Sequence, residues 1–313
     1  MTTTAQIPLT IIEPEKTSKR WRGLSRVLVA YSFLIPWLIG FLGLTLGPTL
    51  ASLYLSFTNF DLLQDPQVIG LANYQRIFTN DAKFWHSMQV TFMYVILAVP
   101  LKLAFALGLA MVLNRGIAGL PFYRALFYLP SLLGASVAIA VLWRQLFAKD
   151  GLVNVVLGFF GFDGPSWISD PSYSLYTLVL LSIWQFGSPM IIFLAGLRQI
   201  PRDLYEAAAI DGAKPWHRFW RITLPLLTPV VFFNAVIQTI EAFKAFTPAF
   251  IISEGTGGPI DSTLFYTLYL YQEGFAYFRM GYASALAWIL LIIIACFTAF
   301  SFLTSRYWVH YND

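Results

Sequence analysis

Charge and cysteine are both scarce in this sequence. Charged residues make up 12% of its 313 residues, whereas a soluble domain carries about 25%. Hydrophobic residues make up 58%, and the mean hydropathy is +0.65. The single cysteine, Cys296, lies inside an apolar run, so no disulfide framework is possible and the redox compartment is undetermined. These shortages argue against a soluble globular protein and favour one that crosses a membrane several times.

The sequence also lacks motifs that bind nucleotides or metals. It contains no GxxxxGK[ST], HExxH or CxxC pattern, so an ATPase that drives transport would have to be another chain. The three histidines, His86, His217 and His310, lie near span ends or in the tail. A polytopic membrane enzyme needs convergent catalytic groups, and these histidines form no recognisable set. We therefore predict no catalytic residue, no metal site and no cofactor bound by this chain.

Long apolar runs dominate the chain instead. A bilayer-spanning helix needs about 20 apolar residues, and six segments qualify: 28–56, 88–113, 124–147, 173–197, 224–252 and 282–304. The first run is too long for a cleavable signal peptide and is interpreted as a retained span. Prolines inside these segments predict kinks, and the first span is expected to break near Gly47 and Pro48. The sequence thus predicts an all-α integral membrane protein with about six transmembrane helices.

Basic residues are distributed unevenly between the two sides of the membrane. With the N-terminus inside, thirteen Lys and Arg residues lie in cytoplasmic segments and five lie outside. The positive-inside rule therefore predicts that both termini are cytoplasmic. The expected organisation is a cytoplasmic N-terminal segment 1–27, a six-span domain 28–306 and a cytoplasmic C-terminal tail 307–313.

The most polar long segment after residue 30 is a loop at about 198–229, between the fourth and fifth spans. Asp203, followed by Glu206 three residues later, predicts a capping box at the start of a helix. Gly212 suits the left-handed residue that ends a helix, and Pro215 suits the first residue of a second helix. On physical grounds alone, the loop is either an ordinary interfacial hairpin or a docking element.

The second helix of this loop carries Trp216, Phe219 and Trp220 at helical spacing, interleaved with basic residues. Such a stretch is typical of a helix that lies partly among lipid headgroups. Leu224 and Pro225 are expected to end it and to start the fifth span.

Residues 206–229 read EAAAIDGAKPWHRFWRITLPLLTP. The pattern EAAAIDGA…F..I.LP...P within them resembles the EAA loop of binding-protein-dependent ABC importer permeases, in particular the maltose-type carbohydrate permeases. Further matching stretches are GLANY at 70–74, TGGP at 256–259 and GYASA at 281–285. The stretch SEGTGGP departs from the family, which often has a third glycine there. The resemblance covers about residues 30–305.

This resemblance implies a type I ABC importer permease fold (MetI-like) and a loop that docks on an ATPase. The implied coupling residues are Tyr205, Glu206, Ala207, Ala208, Asp211, Gly212, Ala213 and Arg218. The implied partners are a second permease subunit, with a heterodimer expected, two cytoplasmic ATPase subunits that hold ATP and Mg, and an extracytoplasmic solute-binding protein. The implied location is the bacterial inner membrane. No nucleic-acid partner is expected. A self-sufficient secondary transporter or channel is the alternative.

Charged and polar residues inside the spans are candidates for a substrate pathway, because they are costly there. Asn234, Gln238 and Glu241 follow an i, i+4, i+7 pattern on one helix face, and Lys244 is placed to pair with Glu241 or to meet substrate. The candidate pathway residues are Lys102, Trp184, Gln185, Asn234, Gln238, Glu241, Lys244 and Phe246.

Each candidate has a structural alternative. The polar residues alternatively join helices by hydrogen bonds, Glu241 and Lys244 alternatively form a structural ion pair, and Lys102 alternatively snorkels or faces the partner subunit. Two lysines at membrane depth suggest an acidic sugar, such as a uronate, a sugar sulfonate or a sugar phosphate. Glu241 offsets part of that positive charge, so a neutral mono- or oligosaccharide also remains open.

Overall fold

The computed structural model describes residues 31–116, 118–134 and 136–310. The predicted N-terminal segment 1–27 and the last three residues of the predicted tail lie outside these ranges. Regular secondary structure in the described residues is helical, apart from one isolated bridge between Thr58 and Val68. The described residues divide into two compact units, one that ends at Tyr54 and one that begins at Leu55, which are described separately.

The first unit contains most of helix α1, Tyr31–Ser56. Within α1, the six residues Phe41–Leu46 form a π-helical turn. Pro48 has no N–H to donate. The backbone N–H of Gly47, just before it, donates to the carbonyl of Leu42, five residues back. Such a π-turn relieves the clash of an interior proline without ending the helix. The predicted break near Gly47 and Pro48 is therefore a local widening of a continuous helix.

The second unit contains the remaining helices. A short helix and a long spanning helix lead in: α2 is Ala72–Asn80 and α3 is Ala82–Leu113. Two bent pairs follow, separated by the short helix α6: α4 is Leu120–Leu133, α5 is Val137–Leu146, α6 is Leu152–Phe159, α7 is Pro171–Trp184 and α8 is Gly187–Gln199. The polar hairpin contributes α9, Arg202–Ile210.

The C-terminal third begins with a compound helix. Helix α10 comprises Pro215–Arg218, a π-helical turn Phe219–Thr223 and Leu224–Phe243. Three further α-helices and a 3-10 turn, Pro259–Asp261, complete the unit: α11 is Thr247–Ile252, α12 is Tyr266–Tyr271 with a π-helical continuation Gln272–Ala276, and α13 is Met280–Trp308.

Two of the six predicted spans are bent rather than straight. The pair α4 and α5 bends by 95°, and the pair α7 and α8 bends by 44°. Within the described residues, four helices are long and apolar enough to span a membrane, or six if each bent pair is one span. Counted in this way, the spans coincide with the six predicted segments, and the all-α membrane class is confirmed.

Prolines mark several of the places where helices restart. Pro189 lies in the first turn of α8 and Pro248 in the first turn of α11. A backbone N–H in the first turn has no intrahelical acceptor, so proline costs no hydrogen bond there. Pro100, Pro130 and Pro229 lie inside helices.

Helix α3 lies at the centre of the second unit and packs against α7, α8, α10 and α12. Two apolar clusters fill the space around it. One cluster is built around Phe84, Phe243 and Tyr266, and the other around Phe193 and Leu227. All five side chains are almost fully buried.

One carboxylate ties three helix ends of the second unit together. Asp81 caps α3 by accepting from the backbone N–H of Phe84 at 2.9 Å. Its other oxygen accepts from the hydroxyls of Tyr269 in α12 and Tyr282 in α13. Burial and the bond to Asp81 raise the pKa of Tyr269, so its hydroxyl stays protonated and remains a donor. The guanidinium of Arg76 lies over the Tyr282 ring, 4.8 Å from the ring centroid.

Candidate functional site: a polar hairpin and an intramembrane cavity

The polar hairpin begins at α9, but not with the predicted cap. The N-cap residue is Pro201, which makes no side-chain capping hydrogen bond. Asp203 lies inside the first turn, so the capping box predicted for Asp203 and Glu206 is wrong. Pro201 takes an extended conformation (φ −58°, ψ 135°) and starts the helix before Asp203 is reached. Asp203 still carries its negative charge near the positive end of the helix dipole.

The hairpin turn has the left-handed glycine that the sequence predicts. Gly212 has φ +73°, the left-handed conformation that glycine adopts without a steric penalty. Gly212 N–H donates to Ala209 O at 3.1 Å, and Ala213 N–H donates to Ala208 O at 2.9 Å. These two bonds form a Schellman motif, which satisfies carbonyls that the helix end would otherwise leave unpaired.

The second arm of the hairpin continues into the fifth span. Pro215 is its first residue, as predicted. Leu224 and Pro225 do not end the helix, which corrects the sequence prediction. Pro225 has no N–H to donate, so the helix widens into the π-helical turn Phe219–Thr223, where Leu224 N–H donates to Phe219 O. The hairpin is therefore continuous with the span that follows it.

Side chains brace the two arms of the hairpin. Tyr205 Oη lies 2.9 Å from Thr223 Oγ1, and Arg218 Nε donates to Ala213 O at 3.0 Å. Glu206 and Ala207 are exposed on α9. A depression of about 380 Å³ lies in the angle between the arms. Four basic residues line it: Lys214, His217, Arg218 and Arg221.

A second polar feature is a cavity of about 220 Å³ inside the bundle. Six of the eight predicted pathway residues line it, namely Lys102, Gln185, Gln238, Glu241, Lys244 and Phe246. They come from the second, fourth and fifth predicted spans and from the short connection that follows α10. The structure thus brings together residues that are up to 144 positions apart in the sequence (from Lys102 to Phe246).

Glu241 and Lys244 form an ion pair at the cavity wall, with Nζ and Oε1 3.3 Å apart. Their side chains are 62% and 57% exposed, respectively. Side chains this exposed can be reached by a ligand that enters the cavity.

Two predicted pathway residues lie elsewhere. Trp184 packs against Trp143, with ring centroids 6.0 Å apart, and is not among the cavity residues. Asn234 is 1% exposed, and its Nδ2 and Oδ1 have no hydrogen-bond partner among the described residues.

Sequence reasoning missed three polar cavity residues, Tyr94, Ser182 and Thr247. Ser182 precedes Gln185 by three residues, and Tyr94 precedes Lys102 by eight. Both spacings return to the same helix face, so the signal was present. It was hidden because Tyr and Ser are common in membrane helices without functional roles.

Bent apolar helices around a polar cavity, with a braced polar hairpin at one end, define a membrane transport protein. Residues 11–307 match the family described as "Binding-protein-dependent transport system inner membrane component". The chain belongs to this family: it is a multi-pass inner-membrane permease of an ABC importer with the MetI-like fold, as its sequence resemblance implied. The family comprises transport permeases rather than enzymes.

Several characterised or named proteins are similar to the chain. It is 55% identical to the probable ABC transporter permease protein YesP of Bacillus subtilis, over 91% of this chain and 93% of that protein. It is 34% identical to the sulfoquinovosyl glycerol permease SmoG of Agrobacterium fabrum, over 90% and 91%. It is also 34% identical to the lactose permease LacF of Rhizobium radiobacter, over 83% and 88%.

A solved structure shares the fold. One chain of a bacterial alginate ABC transporter, crystallised with a periplasmic protein bound to alginate pentasaccharide, matches with a TM-score of 0.78 at 22% identity. The match covers 91% of this chain and 96% of that chain.

The hairpin turn yields a prediction about Gly212. No atom lies within 4 Å of a Cβ added there, so a substitution is opposed by backbone strain alone, about 1–2 kcal/mol. Gly212→Val should therefore increase tryptic cleavage after Arg218, the first Lys or Arg beyond the turn that is not followed by proline, by roughly 5–30-fold in the solubilised protein. Gly212→Asn, which tolerates the left-handed conformation, should stay close to wild type. A valine variant as resistant as wild type would show that the turn is not strained.

Proposed function

We propose that this chain forms half of the translocation pathway of an ATP-driven carbohydrate importer. The observation that carries the proposal is the cavity, in which Lys102, Gln185 and Gln238 meet the pair Glu241 and Lys244. Such hydrogen-bonding groups beside the aromatic face of Phe246 suit a sugar. The names of the relatives support this class of substrate, since they specify lactose and sulfoquinovosyl glycerol.

The proposed importer contains further subunits. A second, similar permease subunit completes the pathway, most simply as a heterodimer. Two cytoplasmic ATPase subunits bind ATP and Mg, and an extracytoplasmic solute-binding protein delivers the sugar. This assembly accounts for the lack of a nucleotide-binding motif in the chain.

The hairpin is the proposed docking element for an ATPase subunit. Its exposed Glu206 and small Ala207 would allow close approach of a partner surface, and its Schellman turn and braced arms would transmit force without bending. Because the second arm continues into α10, a push on the hairpin would reach the cavity residues Gln238 and Glu241 along one helix. Rigid-body rocking of this kind is a known route to alternating access.

The docking role predicts a defined effect of reversing the charge of Glu206. Glu206→Lys should reduce co-purification of the ATPase subunits by roughly 30-fold or more, because loss of one partner of an interfacial charge pair costs about 2–5 kcal/mol. Asp163→Lys makes the same charge change at an exposed site on the proposed outer side and serves as the control. Quantitative co-purification of the tagged chain measures both. Equal ATPase recovery for the two variants would contradict the docking role.

The proposed substrate is an acidic sugar, such as a uronate or a sulfonated or phosphorylated sugar. Lys102 and Lys244 bring two positive charges to the cavity and Glu241 brings one negative charge. A bound anion can reach Lys244 and compete with Glu241 for it, because both side chains are exposed. An anionic group near Lys102 would also offset the cost of a charge at membrane depth.

This preference predicts a selective loss of uptake. Lys102→Met keeps the length and apolar body of the side chain but removes its charge. Uptake of digalacturonate should fall by roughly 10-fold or more, since a hydrogen bond to a charged group contributes about 1.5–3 kcal/mol. Uptake of lactose, where it occurs, should change much less. Lys83→Met, outside the cavity and 57% exposed, is the control. An equal loss for both sugars would argue against charge recognition.

The proposed orientation places both termini in the cytoplasm. The segments 1–27 and 307–313 then flank the six-span domain on the side of the hairpin, in keeping with the excess of basic residues there. A fluorescent protein that folds only in the cytoplasm should fluoresce when fused to either end. An extracytoplasmic alkaline phosphatase reporter should be inactive at both ends, and activity at either end would reverse the assignment.

A further inference from the structure

The breaks in the two bent spans meet at the cavity. The third span is interrupted between Leu133 and Val137, and the fourth between Trp184 and Gly187. One cavity residue lies in each break: Gly134 in the third span and Gln185 in the fourth. A ligand in the cavity would therefore lie against both bends at once.

Gln185 is hydrogen-bonded across the two breaks. Its side-chain Nε2 donates to Gly134 O at 3.0 Å. Its backbone oxygen accepts from Ser131 Oγ at 2.9 Å, and the same Oγ accepts from Ser188 N–H at 2.9 Å. These bonds satisfy backbone groups that the interrupted helices leave without partners, which is a requirement within a bilayer.

The two spans also approach too closely here to move independently. A Cβ added at Gly134 would collide with the side chain of Gln185, and a Cβ added at Gly187 would collide with the backbone of Phe127 and Tyr128. Backbone therefore lies directly against backbone where the fourth span restarts. Close-packed contacts of this kind transmit a change in one bend to the other.

A sugar in the cavity would compete for the same amide. A glutamine side chain has two N–H donors and one acceptor oxygen, and one donor is committed to Gly134 O. The hydroxyl and carboxylate oxygens of a sugar can accept from the N–H groups of the amide, and a sugar hydroxyl can donate to the amide oxygen. Turning the amide so that both of its N–H groups meet the sugar would leave Gly134 O unpaired and would weaken the contact between the breaks.

We propose that Gln185 is a positioning residue that couples sugar occupancy of the cavity to the bends of the third and fourth spans. The inference rests on the proposed function, because it takes the cavity as the sugar site. In the empty transporter, Gln185 holds the two bends together through Gly134 O. The sugar draws the amide away, so the conformation with altered bends gains stability only when sugar is present. Such differential binding is what allows a ligand to shift a conformational equilibrium.

The experiment compares two single variants that break this contact from opposite sides. Gln185→Ala removes the donor. Gly134→Ala keeps the amide but forces it out of place, because the new Cβ occupies its position. In the purified complex in proteoliposomes, each should raise ATP hydrolysis without sugar by roughly fivefold or more, the low end of coupling between sites. Co-purification of all subunits shows that each variant complex is assembled.

The double variant, Gln185→Ala with Gly134→Ala, distinguishes loss of this one contact from a general loss of stability. Once Gln185 is alanine, the atoms that obstruct a Cβ at Gly134 are absent. Gly134→Ala should therefore add little in that background, and the two effects should be clearly non-additive. Independent, additive effects would overturn the proposal. Gln75→Ala, an exposed glutamine in α2 and outside both the cavity and the hairpin, is the matched control and should hydrolyse ATP at the wild-type rate.

The remaining outcomes separate this inference from the proposed function. Assembled Gln185→Ala and Gly134→Ala complexes with wild-type hydrolysis in the absence of sugar would overturn the role of Gln185. If Gln185→Ala does not assemble, Gly134→Ala carries the same test with the glutamine intact. A wild-type complex that hydrolyses ATP but takes up neither digalacturonate nor any neutral sugar offered would contradict the proposed function. The sugar-free rates decide the inference about Gln185 in either case.

Discussion

Hydrogen bonding of the backbone at interrupted helices is the constraint on which this structure depends. In a bilayer, a carbonyl or N–H that leaves the helical ladder must find another partner within the protein. The break after Trp184 meets this requirement through Ser131 and Gln185, which connect it to the break in the neighbouring span. The proline-containing stretches near Pro48 and Pro225 meet it differently, by widening into π-helical turns that keep the chain helical.

The location of the polar cavity follows from these interruptions. A regular apolar helix presents no backbone polar groups to its neighbours, whereas a broken one exposes several together. Gly134 and Gln185 lie at such breaks, and the polar side chains of the fifth span face the same space. The groups that satisfy the breaks are thus also the groups nearest to a ligand. This accounts for a hydrogen-bonding site within a unit whose clusters are otherwise apolar.

The hairpin shows which features the conformational preferences of single residues predict correctly and which they do not. Gly212 and Pro215 occupy the positions that their backbone preferences predict, because φ above zero and a missing N–H are properties of the residues themselves. The cap at Asp203 was wrong, since Pro201 had already set the start of the helix. Similarly, Pro225 did not stop a helix, because the fifth span beyond it is held by packing against α3 and α8.

The sequence by itself determined the membrane class, the six spans and the hairpin turn, because hydropathy and glycine or proline positions are local properties. The family followed from the resemblance of the loop sequence to the EAA pattern. The sequence also named six of the residues that line the cavity. Only the tertiary structure decided that they share one cavity, that Trp184 lies against Trp143 and that the amide of buried Asn234 finds no hydrogen-bond partner among the described residues. Helix periodicity shows which residues share a helix face, but not which helix packs against that face. The neighbour depends on the angle of each break, and contacts across two spans, such as Gln185 with Gly134, set that angle.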